Sequence, residues 1–155
     1  MARLAYEGRV KVIFVTTIAD TDAPTAAEIT AGVDVTPFVT KDGVNPGTTN
    51  NRIDTAGIDS AFDSQIQGSW AAEFQLTCMR DDTTDTAWET LQRGVQGYLV
   101  VGYDSPTGIA AADTVQVWAV ELGTPVMQPS AANTNQMFVV DVAIATPPVL
   151  EATVA

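Results

Sequence analysis

The sequence predicts a mainly β protein, an antiparallel domain of six or so strands with one flanking α-helix and a long loop. Three observations carry this. Apolar residues alternate with period two in several separate segments, as in strands that bury one face. Helical spacing is confined to two short stretches. Clusters of Gly, Pro, Asn and Asp separate the segments, and about six strands result.

The first strand runs from Lys11 to Ile18. Val12, Phe14, Thr16 and Ile18 alternate with Lys11, Ile13, Val15 and Thr17, and both sets are largely apolar. The strand is therefore expected to be covered on both faces, within the subunit or on assembly. A short helix is expected over Asp22 to Gly32, with Asp22 as cap, Pro24 near its first turn and Gly32 as its stop. Val33 to Thr40 reads as a weaker strand, and Pro37 puts it at an edge or a bulge.

Trp70, Ala72, Phe74, Leu76 and Cys78 form the core face of the next strand, while Ala71, Glu73, Gln75, Thr77 and Met79 form a mostly polar face. The flanking helix is expected at about residues 84–93. Thr86 and Glu89 have capping-box spacing, and Thr84 or Asp85 are alternative caps. Trp88 and Leu91 lie three apart, share a face and should anchor the helix to a sheet. Tyr98 to Val101 is a short strand. In Thr114 to Leu122, Val115, Val117 and Ala119 oppose Trp118, Val120 and Leu122. Phe138 to Ile144 alternates likewise, and Pro147-Pro148 is expected to end pairing, since neither offers an N–H.

Two connections stand out. Asp104 to Gly108 is an ordinary hairpin turn, but Gly123 to Asn135 is long and rich in Pro and Asn. Longer still is the stretch from Lys41 to Ser69. Asp42-Gly43, Asn45-Pro46-Gly47 and Thr48-Thr49-Asn50-Asn51 are turn chemistry, and only Arg52 to Ile58 hints at extended chain. A polar loop of this length has no role inside a compact domain, so Lys41, Asp42, Gly43, Val44, Asn45, Pro46, Gly47, Thr48, Thr49, Asn50 and Asn51 become candidates for contact between subunits.

Length and composition narrow the function. At 155 residues the chain suits a single domain, residues 1–155, and shows no linker composition. With 46% apolar and 17% charged residues it can build a core without staples. Nineteen acids against seven bases give a net charge of −12, which argues against gripping nucleic-acid phosphates or anionic membranes. There is no histidine, so His-based triads, dyads and zinc sites are excluded. Cys78 is the single cysteine and sits on a core face, as a packing residue with nothing to activate it. No apolar run approaches a membrane span, and the N-terminus lacks the apolar region of an export signal. These features fit a soluble protein of a cytosol-like compartment.

Asp20-Thr-Asp22 and Asp81-Asp82-Thr-Thr-Asp85 offer oxygens to a hard cation, but their spacing fails the calcium-loop pattern, and both precede helices, where Asp caps N–H groups. Nothing singles out a carboxylate pair for glycoside hydrolysis, and no phosphate-cradling glycine motif occurs. Trp70, Trp88 and Trp118 would suit a sugar-stacking platform, but each also sits where core packing would place it. No cofactor is expected.

The segment Pro24 to Thr36, running into Val39 to Gly47, resembles the major tail protein, or tail tube protein, of long-tailed non-contractile bacteriophages. Arg80 to Gly94 followed by Gly97 to Val101 is similar to the strand–helix–strand of the same family, and Val117 to Pro125 with Pro129 to Asn135 and Phe138 to Ala143 to its C-terminal strands. The resemblance implies a fold of two packed antiparallel sheets, sandwich or barrel-like, with a flanking helix, and a non-enzymatic virion subunit made in the host cytoplasm. Hexameric rings would stack into a hollow conduit for DNA ejection, the inner strands of neighbours joining into one barrel. The long loop, about residues 41–69, would make ring-to-ring contacts. It also implies tape measure and tail terminator proteins as partners, with DNA passing through unbound. The end at Ala155 implies that the extra C-terminal immunoglobulin-like domain of some relatives is lacking. Glu73, Glu121 and Asp141 are then the acidic candidates for the lumen, where carboxylates repel phosphate. Acidity that serves only solubility is the competing reading. The competing functions are another β-sandwich virion protein, either head decoration or tail terminator, and a carbohydrate-binding module.

Overall fold

A computed structural model of the chain describes residues 2–129 and 131–155. Its strands are β1 (Lys11–Val15), β2 (Val33–Asp34), β3 (Val39–Asp54), β4 (Gln65–Met79), β5 (Gln96–Gly102), β6 (Thr114–Leu122), β7 (Val126–Met127), β8 (Met137–Ile144) and β9 (Val149–Thr153). The helices are α1 (Ala26–Thr30) and α2 (Thr86–Thr90). All strand pairs are antiparallel, in the order β2-β1-β5-β6-β8-β4-β3, with β7 added on β8 and β9 on β6.

β8 turns this one sheet into two packed layers. Its first part pairs with β4, from Met137 opposite Met79 to Asp141 opposite Gln75. Its last part pairs with β6, from Val142 opposite Leu122 to Ile144 opposite Val120. Between the layers lies the main core. Phe74, Leu76 and Cys78 of β4, with Phe138 and Val140 of β8, pack against Phe14, Leu99, Val101, Trp118 and Val120. A second, smaller core lies on the far side of β1, β5 and β6. There Val15, Val100 and Val117 meet Ile29 of α1 and Ala152 and Val154 of the C-terminal segment. β1 is thus buried on both faces, as its doubly apolar alternation predicts, although the strand ends at Val15 and Ile18 is buried beyond it.

Several sequence expectations need correction. α1 is capped by Thr25, not Asp22: the Thr25 hydroxyl accepts from the Glu28 N–H, and the Glu28 carboxylate accepts from the Thr25 N–H. Val33 to Thr40 is not one strand. Pro37 falls in a 3-10 turn, Thr36–Phe38, that separates β2 from β3. Pro147-Pro148 delays pairing rather than ending it, because β9 follows and pairs with β6. The C-terminus then clamps α1, since the Ala155 N–H donates to the Pro24 carbonyl and the Ala26 N–H to that of Ala155. The flanking helix is shorter than residues 84–93. Asp85 stands at its N-cap, but its carboxylate bonds to Arg80 and to the Asp81 N–H and caps nothing in the helix. Ala87 of α2 and Leu91 at its C-terminal end are both fully buried. Trp88 is only half-buried; it packs edge-on against Phe138 under the Arg80 guanidinium.

Candidate functional site: an arm and a cation-free sheet face

The long loop is in fact a β-hairpin. Lys41 to Asn51 lie within β3, a strand of 16 residues paired with the 15-residue β4 from Val39 opposite Cys78 to Asp54 opposite Gln65. The turn-forming residues are accommodated because β3 is an edge strand. Pro46, opposite Phe74, lacks an N–H where an edge can spare one. The ladder shifts register between Val39 and Val44, and there Gly43 packs so tightly that a Cβ would lie 2.3 Å from the Thr77 carbonyl oxygen. The true loop is the tip beyond Asp54, closed by the Thr55 N–H donating to the Ser64 carbonyl.

This arm is two-faced. The core face of β4 (Cys78, Leu76, Phe74) continues outward through Ala72 to Trp70; a register shift between Asn50 and Arg52 then flips the alternation, so that Ile66 and Ile53 opposite it come to lie on the other face. Buried at the base, the first face becomes exposed at Trp70, by 45%, and the other carries Ile66 and Ile53, exposed by 55% and 52%. At the tip Ile58 and Phe62 stand in solvent. Trp70 is therefore not a core residue. The sequence hides the arm because a bulge between Trp70 and Gln67 shifts the alternation, so Ile66 falls out of phase with the pairing.

The opposite sheet face is polar. Asp141 lies beside Gln75, whose side-chain amide donates to it, and two residues along β4 stands Glu73. Across the β8–β6 joint, Ala143 lies opposite Glu121, which in turn lies opposite Gln96 of β5. By register, Glu73, Glu121 and Asp141 share the face turned away from the main core, and all three are exposed. They are the only charged residues in β4, β5, β6 and β8, which contain no Lys or Arg. Arg93 lies at the border, in the turn before β5.

The remaining candidates resolve into structure. Trp118 is buried and Trp88 half-buried, each on its own side of the core, while Trp70 is out on the arm, so the three do not form one platform. The Asp81 carboxylate accepts from the N–H groups of Thr83 and Thr84, which holds its pKa below the usual carboxylate range. Burial pushes the Cys78 thiol up to about 12. Among the described residues no group of three or more His, Cys, Asp or Glu side chains is placed to hold a metal, and no helix is long and apolar enough to cross a membrane.

Two packed antiparallel β layers carrying a long edge hairpin define a β-sandwich protein with an extended arm. A family model described as phage tail tube protein matches residues 1–155, and the chain belongs to that family. It is a component of the virion, with a structural role. No curated protein matches the sequence. Among solved structures, a chain of the six-fold symmetrised cryo-EM structure of the anti-feeding prophage (AFP) baseplate shares the fold. Its TM-score is 0.60 at 10% identity, covering 97% of this chain and 98% of that one. A chain of the crystal structure of Hcp protein aligns with TM-score 0.37 at 7% identity over 87% of each chain.

Proposed function

We propose that this tail tube protein forms hexameric rings that stack into a hollow tube for DNA ejection. The sheet face bearing Glu73, Glu121 and Asp141 lines the bore, and the β3–β4 arm bridges successive rings. One observation carries the reading: the only charges of the four central strands are three carboxylates on one face. A lumen so lined repels DNA phosphates, Arg93 at its border being outnumbered by the three carboxylates. The arm supports the second half, because large apolar side chains left in solvent along it (Trp70, Ile53, Ile66, Ile58 and Phe62) are an interface waiting for its partner. The outer edge of β3, unpaired in the monomer, offers a neighbour the hydrogen bonds to extend the sheet around the ring. Tape measure and tail terminator proteins are the proposed partners inside and at the end of the tube.

Negative-stain electron microscopy of the purified protein tests this. Six-fold rings and tubes with a central channel are expected; a protein that remains monomeric at high concentration and physiological salt refutes it.

A further inference from the structure

We propose that the acidic, apolar tip of the arm docks into a basic, apolar groove at the arm's own base on a second copy of this chain, so that subunits stack head to tail. The inference rests on the arm being the ring-to-ring contact, and it names the surface that receives it.

The groove measures about 220 Å³ and is lined by Tyr6, Val10, Val39 and Val44, with Lys11 and Lys41 among its walls. Glu7 is the one carboxylate there, so the groove is net positive. The tip has the complementary chemistry. Ile58 is 108% exposed and Phe62 76%, and Asp54, Asp59 and Asp63 surround them. No Lys or Arg occurs from Ile53 to Met79, so the tip has no cation of its own to satisfy those carboxylates.

Geometry prevents a subunit from filling its own groove. Val44, opposite Leu76, is at the base, and the ladder carries the chain to Asp54, opposite Gln65. At ~3.3 Å per residue the tip stands about 33 Å from the groove. A projection and a recess on different parts of one surface make a heterologous contact, which propagates as an open series rather than closing on itself. That is the symmetry a stack of rings requires along its axis.

The test uses charge exchange in the full chain. The tip variant Asp59→Lys with Asp63→Lys, and the groove variant Lys11→Glu with Lys41→Glu, are each expected to reduce sedimentable tubes at least tenfold. The chain carrying all four substitutions is expected to recover them, because tip and groove are again complementary. Thermal unfolding establishes that each variant is folded. Phe62→Ser, at an exposed position that the fold does not need, is a second probe and should also reduce elongation. Normal tubes from the tip variant, the groove variant or Phe62→Ser, or no recovery in a folded four-fold variant, overturns the inference. An arm shortened by replacing residues 55–64 with a Gly-Ser turn separates the two levels. If it still elongates, the arm is not the ring contact at all. If it does not, while the charge variants behave as wild type, the arm docks elsewhere and only this inference fails.

Discussion

The rings of Phe74 and Trp118 meet edge to face across the main core, with centroids 5.0 Å apart and planes inclined at 62°. Phe74 comes from β4 in one layer and Trp118 from β6 in the other, so this pair closes the sandwich. Both side chains are buried, and the indole N–H donates to Gln116, so no polar atom is stranded. Trp118→Ala is expected to cost ~3–5 kcal/mol, from lost burial plus the cavity left behind. A double-mutant cycle with Phe74→Leu should show coupling of ~0.5–1.5 kcal/mol, read from urea unfolding midpoints.

Cys78 lies in the same core, fully buried opposite Phe138 of β8. With its pKa raised to about 12, roughly one molecule in ten thousand carries a thiolate at pH 8, and that one is inaccessible. Native protein should resist iodoacetamide at pH 8 and react at once in 6 M guanidinium. Labelling of native protein as fast as that of the unfolded chain would mean that the β4–β8 pairing opens readily.

The capping box of α1 makes a pH prediction. Backbone N–H groups of Thr25 and Ala19 donate to the Glu28 carboxylate and lower its pKa below the ordinary value of 4.5. A carboxylate with a depressed folded pKa stabilises above the unfolded value and loses that contribution as pH falls through the folded one. Glu28→Gln should therefore lower stability near neutrality, where the carboxylate is ionised, and change little at acid pH, where the wild-type carboxyl is itself neutral, so that the stability curve flattens below about pH 4.5. Thr25→Ala, which removes the hydroxyl cap, should cost about 1 kcal/mol at any pH. Circular dichroism melts between pH 3 and 7 would check both.

Much of the fold was legible because the strands of the two cores bury one face or both inside the subunit. Period-two alternation in Thr114 to Leu122 placed β6 to the residue, with Trp118 and Val117 assigned to opposite faces, as they are in the two cores. The same logic failed at β3. Its faces are solvated in the monomer, so Asp42-Gly43 and Asn45-Pro46-Gly47 looked like turns, and only pairing to β4 makes them strand. β9 was hidden for a related reason: Pro147-Pro148 interrupts the chain, and just Ala152 of the short strand that follows is buried. The acidic candidates fared differently. Alternation assigned Glu73 its polar face, but that Glu121 and Asp141 join it on one surface depends on the switch of β8 between layers, which sequence does not encode locally.

If the polar face lines the bore, its sign matters more than its shape. Reversing Glu73→Lys, Glu121→Lys and Asp141→Lys exchanges three carboxylates for three amines at exposed positions, with the loss of the hydrogen bonds that Thr49, Gln96 and Gln75 donate to them. Tubes should still form, but DNA should now be retained. Nuclease-protected DNA copurifying with variant tubes and absent from wild-type tubes is the expected result; equal amounts in both would place these residues outside the bore.

Charge also governs assembly as a whole. Each subunit carries −12 and must approach others closely to build a ring. After Arg93 there are five acids and no base; of these, Asp104 is paired with Arg9, whereas Glu121, Asp141 and Glu151 remain exposed. Like charges repel within a Debye length, which shrinks from ~30 Å at 0.01 M salt to ~8 Å at 0.15 M. Apolar burial between strands is almost unaffected by that change, and direct carboxylate–amine contacts at the arm tip, being short, are screened less than the long-range repulsion. Tubes should therefore form faster and more completely as ionic strength rises to 0.15 M, as followed by light scattering at fixed pH. Near 1 M, where the Debye length is ~3 Å, contacts between the tip and Lys11 and Lys41 weaken too, and the gain should level off or reverse. Acidification toward pH 4–5 reduces the repulsion by protonating exposed carboxylates, whose unperturbed values lie near 4, and should also promote association. Scattering that falls steadily from the lowest salt upward would show that ion pairs across the interfaces, rather than net repulsion, dominate assembly.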